Sequence, residues 1–95
     1  MYVLAVDDER NILDELVTEL QKVFPQGQIH GEMEALAAAE WVQSLWEERQ
    51  TLEYVFLDIH MGGMNGLELA RQIKTFHPDA KLIFCTAYKE YAFDA

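Results

Sequence analysis

Short, unbroken apolar runs alternate along this chain with longer segments in which apolar residues recur every three or four positions. The runs Tyr2-Val3-Leu4-Ala5-Val6, Tyr54-Val55-Phe56-Leu57 and Leu82-Ile83-Phe84-Cys85 have the pattern of strands covered on both faces. Over residues 11–24, Ile12, Leu13, Leu16, Val17, Leu20, Val23 and Phe24 fall at helical spacing, and Pro25 with Gly27 close the segment. That periodicity predicts an amphipathic helix. Residues 28–31, Gln-Ile-His-Gly, read as a short and more polar strand, which belongs at a sheet edge. Residues 34–49 are rich in Ala, Leu and Glu and predict a second helix. Its buried stripe is expected to carry Leu36, Ala39, Val42 and Leu45 or Trp46, with Trp41 off the stripe as a half-covered aromatic. Residues 66–76 give a third helix through Leu67, Leu69, Ala70, Ile73 and Phe76, stopped by His77-Pro78, and Asp79-Ala80 turns the chain into the fourth strand.

Strands alternating with helices, and strands apolar on both faces, predict an α/β fold: a doubly wound parallel sheet with helices on both sides. Three of the strand runs end in polar residues: the first in Asp7-Asp8-Glu9, the third in Asp58, the fourth in Thr86-Ala87. Under a flavodoxin-like strand order of 2-1-3-4 these endings become neighbours at the switch point of the sheet. Asp58 is the centre of that arrangement, because an apolar strand stops there in a carboxylate and a glycine-rich turn, His60-Met61-Gly62-Gly63-Met64-Asn65-Gly66, follows.

The chain has 95 residues, of which 51% are apolar, enough for one core and one domain over 1–95. Seventeen Asp and Glu against seven Lys and Arg give a formal charge of −10. Nucleic acid and anionic membranes both require a basic face, so neither is expected as a direct partner, whereas a cation is easily accommodated. The single cysteine, Cys85, has no internal partner and reads as a small buried side chain in a reducing compartment. No long apolar span and no basic leader occur, so a cytoplasmic protein without membrane anchor is expected.

Asp7, Asp8 and Asp58 crowded together would repel, each close pair by on the order of 4 kcal/mol at an effective dielectric near 20. Such a cluster calls for a cation. Carboxylate oxygens without Cys or paired His favour a hard ion, and a shell left open to water and phosphate oxygens favours Mg²⁺. The histidines at 30, 60 and 77 lack zinc-ligand spacing and are expected to be solvated. A carboxylate held against Mg²⁺ can attack a phosphoryl group, with the Thr86 hydroxyl and the Ala87 backbone N–H supplying hydrogen bonds to the transferring oxygens. The plainer reading makes Asp58 a turn residue, Asp8 or Asn11 a helix cap and Thr86 an ordinary strand residue.

The motifs Val6-Asp7-Asp8-Glu9, Leu57-Asp58-Ile59-His60-Met61 with Met64-Asn65-Gly66, and Thr86-Ala87 resemble the receiver domains of two-component response regulators, over the whole chain. The resemblance implies that Asp58 accepts a phosphoryl group from a histidine kinase. It also implies that Asp8, Asp58 and the backbone carbonyl of His60 ligate Mg²⁺, that Asp7 helps mainly through water, and that Thr86 is the switch hydroxyl. The ending Phe84-Cys85-Thr86-Ala87-Tyr88-Lys89-Glu90-Tyr91-Ala92-Phe93 resembles the subgroup whose regulators carry a LytTR-type DNA-binding domain, which implies a transcriptional regulator.

Two departures from the family stand out. Gly62 occupies the place of a usual proline, which should loosen the loop after Asp58. The family has five strand-helix units, with a lysine after the fifth strand, and neither Lys81 nor Lys89 matches it. The chain is therefore expected to be a receiver incomplete at its C-terminal end, with Ala95 inside the fourth helix and the fifth strand and helix lacking. The edge 82–86 is then open, and self-association through it is expected. A phosphorylation-independent docking module with the same fold is the alternative reading. A stand-alone hydrolase fits less well, because no general base aimed at water is evident.

Overall fold

A computed structural model describes residues 1–59 and 65–85, together with the backbone of 93 and 94. Strands β1 (Tyr2–Val6), β2 (Gln28–Glu32), β3 (Leu52–Asp58) and β4 (Lys81–Cys85) alternate with helices α1 (Arg10–Val23), α2 (Ala35–Glu47) and α3 (Gly66–Phe76). A two-residue strand, β5 (Phe93–Asp94), follows. The sheet order is β2-β1-β3-β4-β5, with β1 to β4 parallel. The polar strand β2 lies at one edge, as its composition implied.

The apolar residues of β1 and β3 alternate between two cores. Leu4, Val6, Val55 and Leu57 face α2 and α3, in a cluster with Ala38, Val42, Leu69 and Ile73. Val3 and Ala5 face α1 and meet Leu13 and Leu20, with Phe24, Tyr54 and Phe56 partly covered around them. Helices on both faces explain why these strands read as unbroken apolar runs.

The buried stripe of α2 differs from the expected one. Ala35, Ala38, Val42 and Leu45 are buried, whereas Leu36 is 66% and Trp46 51% exposed. Trp46 instead rests on Phe76 across the α2–α3 gap, ring centroids 5.3 Å apart. Helix α2 ends in a Schellman turn: Arg49 N–H donates to the Trp46 carbonyl and Gln50 N–H to the Leu45 carbonyl, both at 3.0 Å. Arg49 takes the left-handed conformation there, with φ 59°.

Two histidines are not solvated as expected. His77 is buried and its Nε2 donates to the Val42 carbonyl at 3.0 Å, tying the end of α3 to α2. His30 stacks on Trp41 at 4.4 Å with the rings 3° from parallel, and its Nε2 lies 2.6 Å from a Glu32 carboxylate oxygen. His60 lies outside the described residues.

At the other edge β4 is not fully open. Phe93 and Asp94 pair antiparallel with Phe84 and Ile83. Positions 93 and 94, expected inside the fourth helix, are extended. Unpaired N–H and C=O groups on an apolar edge are costly, and the chain's own return satisfies some of them.

Candidate functional site

The register of the sheet assembles the site. Val6 is paired with Leu57, so the next residues, Asp7 and Asp58, fall side by side at the C-terminal ends of the two central strands. Asp58 is in turn paired with Cys85 on β4. One carboxylate oxygen from each of Asp7, Asp8 and Asp58 can be chosen so that all three lie within 4.8 Å of one another. The three acids singled out in the sequence are thus brought together.

They differ in environment. Asp7 is buried, Asp58 half-buried and Asp8 exposed. Asp7 Oδ1 accepts a hydrogen bond from the Glu9 backbone N–H at 2.9 Å, which turns the chain into α1. Burial raises the Asp7 carboxyl above its ordinary value; the Glu9 N–H lowers it, and the charges of Asp58, Asp8 and Glu9 raise it further. The Cys85 thiol is raised by burial first and then by the charges of Asp58 and Asp7, so it stands beside the acids as a neutral group. The reading of Asp8 or Asn11 as a helix cap does not hold: Glu9 is the N-cap residue of α1, without a side-chain cap bond.

The oxygen set suits a hard cation. Ligands on opposite sides of Mg²⁺ are about 4.2 Å apart and those around Ca²⁺ about 4.6–5.2 Å, so the outer spacing of 4.8 Å is within about half an ångström of either ion. No Cys or His joins the group among the described residues, which disfavours softer metals.

The segment after Asp58 is fastened at both ends. Gly66 N–H donates to the Ile59 carbonyl at 3.0 Å. A Cβ at Gly66 would lie 2.7 Å from Ile59 Cα and against the Asp58 carbonyl oxygen, so only glycine fits. Asn65 caps α3, its Oδ1 accepting from Glu68 N–H at 2.8 Å. These positioning roles were not drawn from the sequence, although Asn65 followed three residues later by Glu68 is a capping signal that would have found one of them. His60, Gly62, Thr86 and Ala87 lie outside the described residues.

A doubly wound 2-1-3-4 sheet with three carboxylates clustered at its switch point is a flavodoxin-like α/β domain with an acidic cluster at the strand ends. The response regulator receiver domain model matches residues 3–95, and the chain belongs to that family. It is 36% identical over 96 residues to the sensory transduction protein LytT of Bacillus subtilis, covering 98% of this chain and 36% of that protein. It is 35% identical to the positive alginate biosynthesis regulatory protein of Pseudomonas aeruginosa, covering 100% of this chain and 37% of that one. The chain thus spans little more than a third of the length of these relatives. Among solved structures, the response regulator TrrA of Thermotoga maritima in complex with Mg²⁺-BeF superposes with a TM-score of 0.76. It is 37% identical, with 95% of this chain and 72% of that one covered.

Proposed function

We propose that this receiver domain is a phosphoacceptor that takes a phosphoryl group onto Asp58 from the phosphohistidine of a histidine kinase. The observation that carries the reading is the clustering of Asp7, Asp8 and Asp58 oxygens within 4.8 Å at the end of the central strands. A carboxylate oxygen of Asp58 attacks phosphorus, the P–N bond breaks, and the electron pair leaves with the imidazole nitrogen, which retains or gains a proton. Asp7, Asp8 and Asp58, with the His60 carbonyl that family resemblance adds, would hold Mg²⁺. That ion offsets charge on the transferring oxygens. Thr86 and Ala87 take the hydrogen-bonding roles by the same resemblance. TrrA, with its Mg²⁺-BeF ligand, supports the choice of ion.

A further relative, 31% identical, is the transcriptional regulatory protein LytR of Staphylococcus aureus, which supports placing the domain in a regulator of transcription. Such a regulator acts in the cytoplasm, where kinase and DNA are both reached. With a chain charge of −10 this domain would leave DNA contact to another part of the regulator. A second copy is the further partner proposed, at the β4 edge.

Incubation with Mg²⁺ and acetyl phosphate, followed by intact mass measurement, tests the reading. A phosphoryl-sized gain in the parent, absent in Asp58→Asn, is expected. No gain in the folded parent would favour the phosphorylation-independent docking module, and a gain that survives Asp58→Asn would remove Asp58 from its role.

A further inference from the structure

At the end of the sheet opposite the acid cluster, a cavity of about 310 Å³ opens between the end of α2 and the turn after α3. That volume is at the small end of the range in which proteins hold small molecules. Trp46 and Phe76 line it as a tilted ring pair, and Trp46 keeps half of its surface in water. A large aromatic left half bare in a concavity offers a face to a ligand.

The charged lining carries both signs, Arg49 and Asp79. Among the described residues neither forms an ion pair, with the other or with any third group. Lys74 is not an alternative cation for this cavity, because its ammonium donates to the Pro78 and Ala80 carbonyls. Arg49 also holds a left-handed backbone, which glycine would adopt without strain. The Schellman turn accounts for that conformation, and Arg49 is among the residues that line the cavity.

We propose that this cavity binds a free aromatic α-amino acid of the phenylalanine type. The Arg49 guanidinium takes the carboxylate, Asp79 takes the ammonium, and Trp46, Phe76 and Pro78 cover the ring. Two opposite charges that line one space without bridging it are the complement of a zwitterion. Such a ligand has no net charge, so the chain's −10 does not oppose its approach.

Titration of isotope-labelled protein with L-phenylalanine, followed through backbone amides and the Trp46 indole N–H, provides the test. Saturable shifts confined to residues 46–52 and 76–80 are expected. Hydrocinnamate and phenethylamine, each lacking one charge, should bind roughly tenfold or more weakly. Arg49→Met should reduce L-phenylalanine to the level of the amine, and Asp79→Asn to that of the acid, both variants keeping the parent's reactivity with acetyl phosphate. Absence of saturable shifts, equal binding of the three probes, or parental affinity in either folded variant overturns the proposal.

Discussion

Gly66→Ala sets two effects of opposite sign against each other at the loop that carries the acceptor. Alanine is the better helix former, by up to about 1 kcal/mol in a helix interior and less at a first turn, where Gly66 sits. Against that, the new Cβ would stand 2.7 Å from Ile59 Cα, where carbon contacts rest at about 3.5–4.0 Å. The atoms it meets belong to the backbone of Asp58 and Ile59, so no side chain can rotate aside. The start of α3 must therefore retreat by roughly 0.8 Å or more, which stretches the 3.0 Å bond from Gly66 N–H to the Ile59 carbonyl. Overpacking costs about 1–3 kcal/mol and the lost bond about 1 kcal/mol, so the clash wins by about 1–3 kcal/mol. In a domain of this size each kcal/mol moves the melting temperature by about 4–8 °C. Urea denaturation and the rate of labelling by acetyl phosphate both read the change. Stability and rate should fall together, whereas Leu67→Ala, at an exposed neighbour, should stay within about 0.5 kcal/mol of the parent. A Gly66→Ala protein as stable as the parent and labelled as fast would refute the argument that this glycine sets the position of Asp58.

Three further outcomes follow from the same site and sheet. Because the native Asp7 pKa is raised above its unfolded value of about 3.9, its contribution to stability is fully present below that pH and is lost as pH rises through the native value. Asp7→Asn should therefore be more stable than the parent at pH 7 in chelator, with the difference closing toward pH 4; no gain in denaturation midpoint at pH 7 contradicts this. Mg²⁺ at a hundredfold excess over its Kd should add about 2.7 kcal/mol to the parent, and a thermal melt of Asp8→Ala showing the same shift would dismiss Asp8 as a ligand. At the β4 edge, where among the described residues the chain's own pairing covers Ile83 and Phe84, light scattering during gel filtration should show a dimer at micromolar concentration. A monomer throughout would mean that those two residues protect the edge sufficiently.

The strands and the site were legible in the sequence for one shared reason. A parallel sheet buried on both faces demands apolar runs through its middle, and acids are left for the strand ends, where loops begin. Asp7, Asp8 and Asp58 stand at those ends. What was not legible depends on partners that periodicity does not identify. In α2 the small Ala35 and Ala38 face the core while the larger Leu36 stays exposed, and no helical spacing rule weighs size. His77 looked like a polar stop signal, yet its ring reaches the Val42 carbonyl 35 positions away. Gly66 looked like a helix start, and its contact with the Asp58 peptide exists only once the loop has folded back. The antiparallel return of Phe93 and Asp94 answers an edge requirement rather than a local propensity, since neither residue is marked as a strand by its neighbours.

The charge arithmetic of the site orders the events on it. Three ionised carboxylates would bring about −3 into a space under 5 Å across, and the Asp7 carboxyl is raised by its burial first and then by the charges of Asp58, Asp8 and Glu9. Exchanging the Asp58 carboxylate for a phosphoryl group of about −2 makes the cluster more negative, not less. The neutral Cys85 thiol on the β4 side adds no charge of either sign, and no Lys or Arg forms an ion pair with Asp7 or Asp8 among the described residues. On the phosphoacceptor reading proposed above, a divalent cation held by these acids would offset that charge. Asp7 is buried and commits one oxygen to the turn into α1, while Asp8 stays in water, so Asp8 is the acid that a cation from solvent would meet first.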